Sequence, residues 1–210
     1  MKKSKNKNYS VFINCPFIDQ FKPILHAIIF AIKDSGFAPH YLLEKQTSIK
    51  QRWDRLVKLI NDCKYGVHDL SYTDPDPDTG LPLFNMPLEL GVFLGCANYG
   101  GQENRKKDCV ILERIAHNYD KFCSDLSGLE CRAHNNEPRI ALRIVRNWLS
   151  EHSSELLPSA EQMWQRFQEF KEYLRLKAEY RGTPIPEKYP KDFLLYLRNW
   201  LLHHPGLKTF

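Results

Sequence analysis

The pattern that most constrains this chain is a regular alternation, between residues 9 and 148, of short β-rich runs with amphipathic helical stripes. Strands are expected at 9–14 (YSVFIN), 37–44, 65–70 (YGVHDL), 108–112 (DCVIL) and 129–133. Between the first two, Phe21, Ile24, Leu25, Ile28, Ile29 and Ile32 fall at helical spacing and form one apolar stripe, stopped by Ser35-Gly36. Further helices are expected around Ile49 to Ile60, over 85–98 before Gly100-Gly101, over 118–126 and over 138–148. Strands separated by helices must be joined by crossovers, so they run parallel. The pattern therefore predicts an α/β domain whose parallel sheet of five strands is covered on both faces, with ligands bound beyond the carboxyl ends of the strands. Pro39 cannot donate to a ladder, which puts the second strand at a sheet edge.

The pattern changes after residue 150. Met163, Phe167, Phe170 and Leu174, then Phe193, Leu197, Trp200 and Leu201, mark two helices joined by a proline-rich connector over 182–190. The expected organisation is a disordered basic tail over 1–8, an α/β domain over 9–150 and a helical extension over 151–210 that packs on the domain or on a second copy of the chain.

Composition removes several function classes. The net charge is +5, but Lys2, Lys3, Lys5 and Lys7 supply +4 of it, leaving no clustered basic face for phosphate tracking. Direct nucleic-acid binding is not expected. No apolar run approaches the roughly 20 residues of a membrane span, and no secretory apolar region follows the lysines, so a cytoplasmic protein is expected. Six scattered cysteines without a C-x-x-C pair read as reduced core thiols, and no metal site is expected. The dinucleotide fingerprint, the P-loop and the G-x-S-x-G elbow are all absent. Gly91 and Gly95, one turn apart, are expected to let a helix approach the sheet or a ligand closely.

Candidate site residues follow from which loops converge at the carboxyl end of a parallel sheet. Asn14, Cys15, Pro16 and Phe17 follow the first strand, Glu44 ends the second, and His68 and Asp69 end the third. Asn85, Met86 and Glu89 open the next helix, whose N-terminal turn favours anions. With Asn85 taken as the N-cap, Leu88 and not Glu89 stands at the capping-box position. A carboxylate flanked by Leu88, Leu90 and Val92 is expected to be half buried, and such an acid in a cleft is a functional candidate. Asp69 has two readings, a site acid or an Asx turn. His68 points to the opposite face from Asp69 and is expected to pack beneath a helix.

Together, residues 11–17 (VFINCPF), 66–70 (GVHDL) and 85–95 (NMPLELGVFLG) resemble the nucleoside 2-deoxyribosyltransferase-like family. Its fold is flavodoxin-like, a Rossmann-like three-layer sandwich similar in architecture to bacterial TIR domains, and the resemblance spans roughly residues 9–113. It implies cleavage of an N-glycosidic bond in a nucleoside or nucleotide, by a nucleosidase or an N-ribosyltransferase. Glu89 matches the family's nucleophile and Asp69 its second catalytic acid, while Asn14, Cys15, Pro16, Phe17, Glu44, Asn85 and Met86 would frame the substrate. No acid stands six residues before Glu89, where the family's transferases usually carry one, so hydrolysis of a nucleotide such as NAD is the expected variant. The resemblance further implies no bound cofactor, a homo-oligomer and, by way of the TIR domains, a toxic effector in antiviral defence. The competing class is a non-catalytic nucleotide-sensing or assembly module that uses the same cleft.

Overall fold

The computed structural model describes residues 7–42, 48–72, 80–81, 83–116, 118–121, 123, 128–182 and 190–205. In chain order they form β1 (Ser10–Asn14), α1 (Lys22–Asp34), β2 (Ala38–His40), α2 (Ile49–Asp62), β3 (Tyr65–Asp69), α3 (Asn85–Tyr99), β4 (Asp108–Glu113), β5 (Cys131–Ala133), α4 (Pro138–His152), α5 (Ala160–Arg181) and α6 (Pro190–His203). All strand pairs are parallel, in the order β2-β1-β3-β4-β5. The chain therefore adopts the α/β class with a five-stranded parallel sheet, and the strand order is the flavodoxin-like one, a doubly wound relative of the Rossmann arrangement. The order reverses between β1 and β3, which makes their carboxyl ends the topological switch point.

The chain divides into two compact units, Met1–Pro16 with Phe37–Asn135, and Phe17–Gly36 with Asn136–Phe210. The first contains the sheet, α2 and α3. Every residue of β1 and β3 is buried, as expected of interior parallel strands that read as unbroken apolar runs. Pro39 pairs opposite Val11 on the edge strand β2, where a missing N–H costs no ladder bond. One core cluster joins Phe12 to Leu56, Ile60, Cys63 and Phe93, and a second joins Leu70, Met86, Leu90, Ile111 and Tyr119. Helix α2 opens with a capping box in which Ser48 and Gln51 exchange hydrogen bonds. Its apolar stripe is only half used: Leu56 and Ile60 are buried, whereas Ile49, Trp53 and Val57 are exposed.

The second unit is helical. Helix α1 buries every residue from 24 to 32, and a helix apolar on all sides must be surrounded. It packs with α4, α5 and α6, and Phe30 meets Phe167, Phe170 and Trp200 at ring separations of 5.1, 6.0 and 6.1 Å. Asp34, its side chain 1% exposed, accepts two-pronged hydrogen bonds from the Arg166 guanidinium, which also lies over the Trp200 ring. A capping box at Ser159 starts α5 and Gly182, at φ 60°, ends it.

Several boundaries differ from expectation. The second unit is discontinuous in the chain, because α1 and α4 carry apolar faces that α5 and α6 cover. Of the expected tail 1–8, Lys7 and Asn8 already belong to a 3-10 turn leading into β1, and residues 1–6 lie outside the described residues. The helix expected over 118–126 is a 3-10 turn at Tyr119–Lys121, where Glu113 accepts from the Asn118 and Tyr119 N–H groups; residues 122 and 124–127 lie outside the described set. Gly91 and Gly95 are not close-approach positions, since a Cβ at either would meet nothing within 4 Å. Gly66 holds that role instead: a Cβ there would come within 2.6 Å of His68 Nε2 and 3.0 Å of Phe93 Cζ. None of the described helices is long and apolar enough to cross a membrane.

Candidate active site

The carboxyl ends of β1 and β3, with α3 beside them, bring several candidates together in the first unit. Asn14 ends β1 and is buried. Its amide donates to the Met86 carbonyl at 2.8 Å and faces His68 Nδ1 at 3.1 Å. Both bonds use the Nδ2 hydrogens, so His68 Nδ1 accepts and its proton sits on Nε2. Asn14 is thus a clip that fixes the start of α3 on the switch point. Met86 contributes this carbonyl, while its side chain packs into the core with Leu70 and Leu90. His68 is enclosed between Phe12 and Phe93, and burial lowers its pKa to about 3, so it is neutral.

Asp69 is fully buried. Its Oδ1 accepts from the Ser71 N–H at 2.9 Å, an Asx turn, and its Oδ2 lies 3.0 Å from His134 Nε2. Because a carboxylate only accepts, that Nε2 carries the proton. Ser71 Oγ lies 2.9 Å from the same nitrogen. A Ser-His-Asp relay needs the two different ring nitrogens, so this constellation holds a turn and does not activate the serine. Sequence reasoning missed His134; the only available signal was a polar residue directly after the fifth strand, opposite an acid ending the third.

Glu89 lies on α3 beyond its first turn. The helix begins at Asn85 with Phe84 as an uncapped N-cap, so Asn85 is not the capping residue expected from the sequence; it is the exposed first helical position. The dipole explanation for Glu89 weakens accordingly, since that field falls off within the first turn. The Glu89 side chain is part-buried, and burial raises its pKa from 4.5 to about 7 against the opposing pull of the Arg52 cation on α2. Arg52 is a second participant the sequence did not single out.

Cys15 connects the two acids. Burial, then the charges of Asp69 and Glu89, push its thiol well above the ordinary range, so it stays protonated and is no nucleophile. Burial, with a contribution from Cys15, likewise pushes the Tyr41 phenol up. Pro16 is buried beside Cys15 in the chain. Phe17, expected to offer a stacking face, is 42% exposed and belongs to the second unit. Glu44 and residues 74–79 lie outside the described residues. Among the described residues no group of three or more His, Cys, Asp or Glu side chains could hold a metal ion.

This arrangement sets a buried, fully engaged acid, Asp69, and a part-buried acid that changes charge near neutral pH, Glu89, around one protonated thiol. No family model, no curated protein and no solved structure matches the chain.

Proposed function

We propose that this chain cleaves the N-glycosidic bond of a nucleoside or nucleotide, NAD among the candidates, with Glu89 as the nucleophile. One observation carries the reading: a half-buried acid with a pKa of about 7 stands beside the switch point, where its charge and that of Asp69 act on one thiol. Partial desolvation makes the ionised carboxylate a better nucleophile, and a pKa near neutrality keeps a usable fraction ionised. In the first step a Glu89 carboxylate oxygen bonds to C1′ as the C1′–N bond breaks. The bonding pair goes to the base, which leaves protonated by solvent or, for a nicotinamide, directly as the neutral amide. Water then attacks C1′, releases Glu89 and gives up a proton, as in retaining glycoside hydrolysis.

Asp69 serves as a positioning residue here, since both its oxygens are engaged by Ser71 and His134. Asn14 and the Met86 carbonyl set the pitch of α3 and hence where Glu89 lies. Self-association is part of the same proposal, supported by the exposed Ile49, Trp53, Phe84 and Leu88 of the first unit; sedimentation of the purified chain tests it.

The deciding experiment incubates the chain with NAD and with deoxynucleosides and follows base release by chromatography. Release should fall by ~10³ or more in Glu89→Gln. Release that persists in the variant would overturn the assignment. Nucleotide binding without release by either protein would support the sensing module instead.

A further inference from the structure

Within the second unit, the start of α1, the start of α4 and the middle of α5 line a cavity of about 440 Å³, with Asp19, Lys22, His26, Trp164, Phe167 and Lys171 on its walls. A space of that size suits a small ligand. Its walls divide chemically. Trp164 and Phe167, their rings 5.6 Å apart, supply aromatic surface. Lys22 and Lys171 supply cations, of which Lys22 is already paired with the exposed Asp19 at 2.5 Å. Lys171 makes no ion pair among the described residues. The N-terminal turn of α4 adds the positive end of a 15-residue helix, and its N-cap, Glu137, makes no side-chain cap.

His26 points to a ligand independently of the charges. The residue is 4% exposed, its ring stacks on Phe193 at 4.1 Å and 10°, and its Nε2 is buried with no hydrogen-bond partner. A buried ring nitrogen without a partner carries its full desolvation penalty, which a bound group would relieve. Burial and the two lysines lower the His26 pKa to about 4, so the ring is neutral, and an incoming anion would offset the lysine charges acting on it.

We propose that this cavity is a binding site for a small aromatic oxyanion, a carboxylate or a phosphate ester. Its ring lies against Trp164 and Phe167, its charge meets Lys171 and Lys22, and a polar atom reaches His26 Nε2. The site goes beyond the N-glycosidase reading and shares no residue with it.

Titrating the full chain with benzoate, phenyl phosphate and the uncharged benzyl alcohol, while following imidazole nitrogen resonances by NMR, tests the assignment. The His26 signal is identified by its loss in His26→Gln, and Glu89→Gln serves as a control that should bind unchanged. At least one anion should move the His26 signal saturably, and the tighter of the two identifies the headgroup. Benzyl alcohol and the Lys171→Ala variant should each show roughly tenfold weaker binding, the scale of a lost charge-assisted hydrogen bond. Trp164→Ala, at a part-exposed position, should weaken binding as well. The proposal is overturned if neither anion perturbs His26, if Lys171→Ala binds as tightly as the native chain, or if benzyl alcohol matches the anions.

Discussion

Replacing Glu89 by glutamine should make the protein more stable, and increasingly so as the pH rises. The folded carboxyl has a pKa of about 7 against an ordinary 4.5, so between these values the folded state holds more protons than the unfolded one. Stability contributed by the protonated form is fully present below 4.5, falls as pH rises, and is gone above about 7. The gap of about 2.5 units corresponds to roughly 3 kcal/mol lost to the native protein at pH 8, and to about 1 kcal/mol at pH 5. Solvent contact at a part-buried side chain screens the effect, leaving about 1–2 kcal/mol at pH 8. Glutamine keeps the shape and hydrogen-bonding capacity without the charge. Urea unfolding of both proteins at pH 5 and pH 8 should therefore show a variant whose midpoint advantage grows with pH, alongside the loss of base release. Such a trade is typical of a destabilised functional acid. A variant equal to or weaker than the native protein at pH 8 would refute the argument that burial outweighs the pull of Arg52 at Glu89.

Arg52 opposes the shift at Glu89, so Arg52→Gln should move the rising limb of kcat/KM to higher pH and lower activity at pH 7, as a pH–rate profile would show. Gly66→Ala should cost about 1–3 kcal/mol by thermal unfolding, because its Cβ would lie 2.6 Å from His68 Nε2, inside a packed core. Gly91→Ala, which meets nothing within 4 Å, should instead stabilise α3 by up to about 1 kcal/mol in the same assay. Arg166→Met leaves Asp34 buried and without its main partner, and should destabilise the helical unit by about 3 kcal/mol, measured by urea unfolding.

Much of the architecture was legible because strand and helix periods are local properties. The stripe from Phe21 to Ile32, the runs at Ser10–Asn14 and Tyr65–Asp69, and the edge assignment of Pro39 depend on spacing and on one missing N–H. The candidate site was legible to the same depth. Asn14, Cys15, Asp69 and Glu89 were read from the loops that must meet at the carboxyl end of a parallel sheet. Their roles were not. Asn14, expected at a substrate, donates instead to the Met86 carbonyl and to His68 Nδ1, and Asp69 is held by a histidine 65 positions away. No local pattern encodes a hydrogen bond across that separation.

Local spacing is enough to show that strands and helices alternate, that the strands run parallel, and that an acid stands near the beginning of the helix after the third strand. Long-range packing alone gathers α1 and α4 with α5 and α6 and holds Asp69 between Ser71 and His134. It also raises the Glu89 pKa to about 7 and leaves His26, which lines a cavity, with a buried Nε2 that has no partner. The reason is physical: periodicity comes from backbone geometry within a few residues, whereas desolvation and charge pairing depend on which distant atoms fill the surrounding few ångströms.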